Sequence, residues 1–475
     1  MTTRRVSTAN PNRTPYNKSY CSHPINRVAV EIVVEIFQQV CPPPDPEARE
    51  MMSKCTPLFL GTICKEWREI AWSAPTLWKD VALHLDVSSN QLDILREWLS
   101  RAKDVPLNIT LYQHRRRIEA LYKEDVIRLG SDEAILTLLL TRARFWSTFR
   151  CDSLFPQLLD VFRKTRFPIL KSIRVEAFRS YTVLGRRHTY KDSPPNAMLA
   201  ASPLLEHLIL QGYSFSKVLM PRNKQLKSFG VSLLPFEACV KILRVYSGLV
   251  YAHFTDVLVQ QPATLNAIST LTMANLSHLQ LSRFVSRQKL FLGNSDHLLE
   301  SLELPALKSL HLNKLGSLSS VISLVKRSGC LLEILDLEIW PKAGDDLAVA
   351  FSALPMLTSF RWSCPGSRRA GLLTTRVVNM LRPSYGDGNP LLPNLTSFTW
   401  LDPVPDLAER PLAKMLKERW RVRDDKRGRP SAVAQLKSVK LPYFYCSSSL
   451  SKELSEVCRE GLKLKFELTK PRGVN

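Results

Sequence analysis

Apolar residues recur at three- and four-residue steps in Val28, Ile32, Val33, Ile36 and Phe37, a spacing that predicts an amphipathic helix. Cys41-Pro42-Pro43-Pro44 stops it, because consecutive prolines lack amide donors and clash with the preceding turn. A polar stretch over 43–52 leads to a second run at helical spacing: Leu58, Leu60, Ile63, Cys64, Trp67, Ile70 and Ala71. Pro75 ends that run, and Leu77-Trp78 opens onto Val81-Ala82-Leu83-His84-Leu85, a predicted strand. Helices this short bury too little surface to stand alone. Their apolar faces need a partner, which is the pattern of a docking module rather than of a catalytic unit.

Further along, helices are predicted over Ser88–Arg101 and Ser131–Arg144, and strands over Pro106–Tyr112 and Trp146–Cys151, with His114–Gly130 a charged surface insertion. Then a short pattern, Leu-x-x-apolar-x-apolar, repeats. It occupies Leu170–Val175, Leu205–Leu210, Leu226–Val231, Ile268–Met273, Leu307–Leu312, Leu332–Leu337, Leu357–Trp362, Leu395–Trp400 and Leu436–Leu441, at steps of 21 to 42 residues. Period-two alternation sends one set of side chains to a core and the other to an exposed face. Such a unit cannot close its own core, so neighbours must stack. Helix-like runs at Asp345–Leu354 and Gly371–Leu381 fall between strands, and Pro168, Pro203, Pro305, Pro355 and Pro393 each stand two residues before one.

These segments resemble known families. Pro24–Phe37 is similar to the first helix of an F-box, and Pro57–Ala71, with Cys64-x-x-Trp67-Arg68 at its centre, to the second half. Ser73-Ala74-Pro75-Thr76-Leu77-Trp78 matches that family's closing Pro-x-Leu-Trp element. The repeats resemble leucine-rich repeats, whose units run to about 20–29 residues, the longer steps being insertions or degenerate units. Trp98-Leu99-Ser100-Arg101 and Leu304–Leu310 resemble the F-box repeat proteins abundant in mushroom-forming fungi. One departure stands out: the family usually opens Leu-Pro-Pro-Glu-Ile, and this chain has Val28-Ala29-Val30-Glu31-Ile32. Ala29 in place of Pro loses a rigid turn and some buried surface, worth about 1–3 kcal/mol of adaptor binding.

The expected fold class is therefore α/β: a short all-helical F-box over 24–86, atypical capping repeats over 87–165 with the insertion at 113–130, and an irregular solenoid over 166–475 with strands concave and helices convex. The resemblance implies a non-catalytic substrate receptor of an SCF-type cullin–RING ubiquitin ligase. It would bind a Skp-type adaptor, and through it a cullin, by Val28, Ile32, Ile36, Phe37, Leu60, Ile63, Trp67 and Trp78, some of which must serve the module's own core. The outward strand positions Lys171, Arg174, Glu206, Ile209, Lys227, Lys308, His311, Glu333, Asp336, Arg361, Thr399, Lys437 and Lys440 are the candidate face for a protein substrate. The alternative is a ligase-independent repeat scaffold that binds an acidic protein or nucleic acid.

Composition narrows this further. The 475 residues carry a formal net charge of +23, which fits an acidic partner or, more plainly, solvation of a long repeat array. The clusters at Arg115–Arg117 and Lys417–Arg429 are local; Lys417–Arg423 reads first as a helix end, with a nuclear-localisation signal as the alternative. The first 30 residues hold no acidic side chain and no apolar h-region, so 1–23 is expected to be a disordered basic arm rather than a secretory signal. No apolar run approaches the ~20 residues of a membrane span, and a cytoplasmic or nuclear setting is expected. Ten cysteines and nine histidines are dispersed without metal-site spacing, so no metal or cofactor is expected. No phosphate loop, dinucleotide fingerprint, His-Glu-x-x-His or Gly-x-Ser-x-Gly occurs. The adjacent carboxylates Asp345-Asp346 and Asp424-Asp425 diverge in either regular structure, and Trp67, Trp362 and Trp400 read as core fillers.

Overall fold

Thr56 and Cys64 punctuate the helical front of the chain. In the computed structural model, the residues described are 27–41, 56–84, 89–112, 130–154, 162, 165–177, 202–211, 225–232, 234–259, 270–286, 296–315, 318–339, 347–363, 375–383, 390–401, 406–422, 433–442 and 448–467. The expected arm, all but Gly130 of the insertion, and both Asp-Asp pairs lie outside them. The chain forms two compact units: Met1–Ala82 with Asp93–Val105, and Leu83–Leu92 with Pro106–Asn475.

The first unit contains α1 (Val30–Val40), α2 (Pro57–Ile63), α3 (Lys65–Ser73), a 3-10 turn at Pro75–Trp78, the start of β1 (Asp80–His84) and most of α4 (Ser89–Ala102). Ala29 offers no capping side chain, and the amides of Ile32 and Val33 turn to its carbonyl at 3.0 and 3.1 Å. The helix therefore starts at Val30, and Val28 lies before it. The run Leu58–Ala71 is two helices rather than one. Gly61, Thr62 and Ile63 are weak helix formers in sequence, and the chain breaks after them at Cys64, with φ −155° and ψ 172°. The Cys64 sulfur accepts the Trp67 amide at 3.4 Å, and Thr56 Oγ1 caps α2 by accepting Phe59 N–H at 3.3 Å. Arg68 Nε donates to the Gly61 carbonyl at 2.7 Å, satisfying an acceptor that the helix end would leave open.

Val33, Phe37, Leu60, Ala71, Leu77, Trp78, Leu95 and Leu99 fill this unit's core. Trp78 Nε1 donates to the Ala71 carbonyl at 2.8 Å, and Trp98 Nε1 to the Trp78 carbonyl at 2.8 Å. The two indoles meet edge to face at 4.9 Å. Residues 93–105 thus belong with the helical module, not with the capping repeats expected from residue 87.

The second unit is built on parallel strands that lie beside one another in chain order. They are β2 (Leu107–Tyr112), β3 (Trp146–Leu154), β4 (Ser172–Ala177), β5 (His207–Gln211), β6 (Ser228–Ser232), β7 (Tyr251–Val259), β9 (His278–Ser286), β11 (Ser309–Leu315), β12 (Ile334–Ile339), β13 (Ser359–Ser363), β14 (Ser397–Trp400), β15 (Ser438–Pro442) and β16 (Lys463–Glu467). Parallel neighbours require crossovers. Those with described helices carry α5 (Gly130–Leu140), α6 (Phe236–Val245), α7 (Asp296–Glu300), α8 (Leu318–Ser328), α9 (Leu347–Ser352), α10 (Asp406–Trp420) and α11 (Ser448–Arg459). The chain is a mixed α/β protein with a long parallel sheet.

Register explains the repeat. The leading leucines Leu170, Leu205, Leu226, Leu307, Leu332, Leu357, Leu395 and Leu436 are buried, and the first apolar strand positions align as Ile173↔Leu208↔Phe229 and Leu310↔Leu335↔Phe360↔Phe398↔Val439. One expectation fails. Leu271–Thr272 (β8) pairs only with Leu302–Glu303 (β10) in a separate two-stranded ladder, so Ile268–Met273 is not a rung of the main sheet. The rungs there are Leu249–Phe254 and Leu276–Leu281, which carry the same pattern, with the small Ala252 at one apolar position of the first. Trp362 and Trp400 are buried, whereas Trp67 is half-buried, its ring 4.8 Å from that of Phe37.

Candidate functional site

Two surfaces present side chains in excess of what each unit's core consumes. On the first unit, α1 is apolar on more of its circumference than it buries. Val33 and Phe37, four apart, are inside, while Ile32, Ile36 and Val40 form an outward row of the same period, Ile32 being 54% and Ile36 40% exposed. Val28, Val30, Leu58, Phe59, Ile63 and Trp72 are exposed as well. Single exposed apolar residues need no explanation, but a concentration on one small module marks a contact surface. Gln38 Nε2 donates to Thr76 Oγ1 at 2.9 Å, tying α1 to the 3-10 turn.

Of the residues expected to contact an adaptor, Val28, Ile32, Ile36 and Ile63 are exposed and Trp67 is half-buried. Phe37, Leu60 and Trp78 are each 1% exposed. They hold the module's interior and leave the contact set, because helical spacing alone assigns both faces of α1 to one apolar class. Val30, Val40, Leu58, Phe59 and Trp72 were missed; the i, i+4, i+8 row Ile32-Ile36-Val40 was the available signal.

On the second unit, the outward strand positions form three rows. Before the strands run Lys171, Glu206 and Lys227, then Lys308 and Glu333, then Lys437, linked by backbone bonds such as Glu206 N–H to the Lys171 carbonyl at 2.8 Å. Lys227 Nζ reaches Glu206 Oε2 at 2.6 Å and Lys308 Nζ reaches Glu333 Oε1 at 3.1 Å. The Lys227 hydrogen bond lowers the Glu206 carboxyl below its usual range. The next row is rich in serine and histidine, aligned as Ser172↔His207↔Ser228↔Tyr251↔His278↔Ser309. The third brings Arg174 beside Ile209, and His311 beside Asp336, Arg361 and Thr399 in turn, with Lys440 next to Thr399.

The most connected group lies on β11 to β13. Ser309 Oγ is 3.0 Å from His311 Nε2, His311 Nδ1 is 3.2 Å from Asp336 Oδ2, and Arg361 Nε is 3.6 Å from the same oxygen. The order of groups is that of a Ser-His-Asp relay. Its hydroxyl, however, belongs to a residue 1% exposed, and the Ser309 amide is spent on the Ser277 carbonyl at 3.0 Å. The arrangement therefore fixes the imidazole and leaves no approach to a nucleophile. Nearby, Tyr251 OH donates to Gln280 Oε1 at 3.2 Å, and burial pushes the Tyr251 phenol up against the opposing pull of Arg174.

The described part of the basic segment, Lys417–Val422, is engaged internally. Lys417 pairs with Glu453 at 3.4 Å, and Arg421 with Glu456 at 2.9 Å and with Glu460. Arg419 is fully buried and donates to the carbonyls of Leu381, Leu391 and Leu392. Its helix-end reading holds, and these three cations are not a presented basic patch. The Arg115–Arg117 cluster lies outside the described residues. Among the described residues, no group of three His, Cys, Asp or Glu side chains is placed to hold a metal ion, and no helix is long and apolar enough to cross a membrane.

No family model matches the chain, and no curated protein matches it.

Proposed function

We infer that the chain is a substrate receptor of an SCF-type cullin–RING ubiquitin ligase, acting in the cytoplasm or nucleus. Its helical front, of F-box type, docks onto a Skp-type adaptor, and the outward sheet face, of leucine-rich-repeat type, holds a protein substrate. The observation that carries this reading is the outward row Ile32, Ile36 and Val40 beside the buried pair Val33 and Phe37. An amphipathic helix with two apolar faces uses one for its fold and keeps the other for a partner. Ubiquitin transfer belongs to other subunits.

Co-purification of the full chain with a Skp-type adaptor tests it. Wild type should co-elute with the adaptor, and Ala29→Pro, which restores the family's turn, should do so more tightly. A wild-type chain that fails to capture the adaptor while Ala29→Pro succeeds removes the ligase role from this chain.

A further inference from the structure

Two ion pairs stand in the row before the strands, Lys227 with Glu206 at 2.6 Å and Lys308 with Glu333 at 3.1 Å. Between them lie β7 and β9. The Val250 amide donates to the Lys227 carbonyl at 2.8 Å, the Ser277 amide to the Val250 carbonyl at 3.0 Å, and the Lys308 amide to the Ser277 carbonyl at 2.9 Å. Val250 and Ser277 therefore occupy this row between the two lysines. In the next row Tyr251 stands opposite His278, and in the one after it His253 stands opposite Gln280. These six positions hold no Lys, Arg, Asp or Glu; the next charge along β7, Asp256, stands beyond them. From β3 to β16 no other neighbouring pair of strands is free of such residues at all three levels. β14, with Thr396, Ser397 and Thr399, comes nearest, but Arg361 stands beside it and it offers only hydroxyl side chains.

Val250 is 40% exposed, His278 is exposed and Tyr251 is half-buried. The Tyr251 ring lies 6.3 Å from that of His278 and 6.4 Å from that of His253, and its hydroxyl donates to Gln280 Oε1 at 3.2 Å. His253 is held at both ring nitrogens, Nδ1 by Gln211 at 3.2 Å and Nε2 by Thr255 at 2.9 Å. Arg174, on β4, is the charge that acts on the Tyr251 phenol, and burial outweighs it. The strands align from Tyr251↔His278 to Val259↔Ser286 and lie near the middle of the strand order. Any one exposed apolar residue is ordinary. A valine exposed beside a tyrosine, at the level where the strands on either side carry ion pairs, is the make-up of an interface centre: charge is depleted there, tyrosine is enriched, and the rim is polar.

We propose that Val250, Tyr251 and His278 form the central contact for a protein substrate, and that they take an uncharged extended segment carrying aliphatic side chains. The proposal rests on the reading of the sheet face as the substrate surface. A carboxylate or ammonium brought over β7 and β9 loses water and meets no opposite charge on these strands, while Lys227 and Lys308 on either side are engaged by Glu206 and Glu333. An aliphatic side chain laid against Val250 and the Tyr251 ring removes apolar surface from water. The backbone of the same segment finds hydroxyl, imidazole and amide groups at Ser277, His278 and Gln280. Single-stranded nucleic acid would find rings to stack on, but its phosphates would have to compete for lysines already paired, which favours the peptide.

Fluorescence anisotropy with the full chain tests this, using three labelled Ser-Thr peptides of equal length that carry Leu-Ser-Leu, Asp-Ser-Asp or Lys-Ser-Lys at their centre, with single-stranded oligo-dT as a fourth probe. The Leu peptide should bind about tenfold more tightly than either charged one, and its affinity should hold as salt is raised. Tyr251→Ala and Val250→Asp should each weaken it about tenfold, Tyr251→Phe, which keeps the ring, less than about threefold, and Lys437→Gln, elsewhere on the face, less than about twofold. Val250→Asp changes an exposed position and decides the matter if Tyr251→Ala fails to fold. Three results each overturn the proposal: no binding of the Leu peptide by wild type, equal or tighter binding of a charged peptide or of oligo-dT, or unchanged affinity in Val250→Asp. Adaptor capture depends on the other unit, so its failure and the failure of peptide binding are separable outcomes.

Discussion

The backbone carbonyl of Arg419 accepts the amide of Leu436 at 3.1 Å, while the Arg419 guanidinium donates to the carbonyls of Leu381, Leu391 and Leu392. One residue at the end of α10 thus closes the turn behind it and positions the leading leucine of β15. Arg419→Met should remove the donors and leave three carbonyls without them, at roughly 1–3 kcal/mol for each one left buried. Urea denaturation should show a loss on the order of 3–5 kcal/mol. Arg419→Lys should recover part of it, since an ammonium reaches fewer of the three acceptors. A loss below about 1 kcal/mol in Arg419→Met would mean that water replaces the donors.

In the helical unit, Trp98 ties α4 to the 3-10 turn through Trp78. Trp98→Ala should cost about 2–4 kcal/mol by loss of packing and of the indole bond. Trp98→Phe should cost about 1 kcal/mol, because the ring contact stays and only the hydrogen bond goes. Denaturation of the full chain followed by far-ultraviolet circular dichroism reports both values.

Neighbouring positions on α1 should behave in opposite ways. Phe37→Ala empties a core site and should destabilise the unit by about 3–5 kcal/mol. Ile36→Ser changes an exposed position and should shift stability by less than about 0.5 kcal/mol. If the adaptor reading is right, Ile32→Ser with Ile36→Ser should weaken adaptor capture at least about tenfold while the melting profile stays put.

Burial pushes the Tyr246 phenol up to about 12 from an ordinary 10.0. The folded chain then keeps a proton that the unfolded chain releases, so this residue's contribution is intact below pH 10 and is lost as pH rises toward 12. Tyr246→Phe, which retains the ring facing Phe229 at 6.1 Å, should move the midpoint of alkaline unfolding to higher pH. An unchanged or lower midpoint would show that ionisation of this phenol does not drive the transition.

Much of this was readable from the chain, and the exceptions have physical causes. The rungs at Leu170, Leu307 and Leu357 announce themselves, since a leading leucine and two apolar strand positions are what a stacked core demands. The rung at Leu249 is hidden because Ala252 is small; Leu276-Ser277-His278-Leu279-Gln280-Leu281 fits the pattern in full and is passed over because Ile268–Met273, just upstream, imitates the pattern without joining the sheet. Which face of α1 is inside could not be decided from spacing, because Ile32, Val33, Ile36 and Phe37 are equally apolar. The split at Cys64 depends on a thiol acting as a cap, a role that serine or threonine usually takes. The uncharged outward stretch shared by β7 and β9 is a matter of register between strands, and only their alignment brings those residues together.

The strand order of the second unit has a consequence for how the chain is made. Since each strand from β2 onward pairs with the strand last completed in the main sheet, a chain emerging from the ribosome always has its next hydrogen-bonding edge already formed. Growth can proceed as a zipper from the amino end, with no strand waiting for a distant partner. The growing edge passes along the chain in this way as far as β16, the last strand among the described residues.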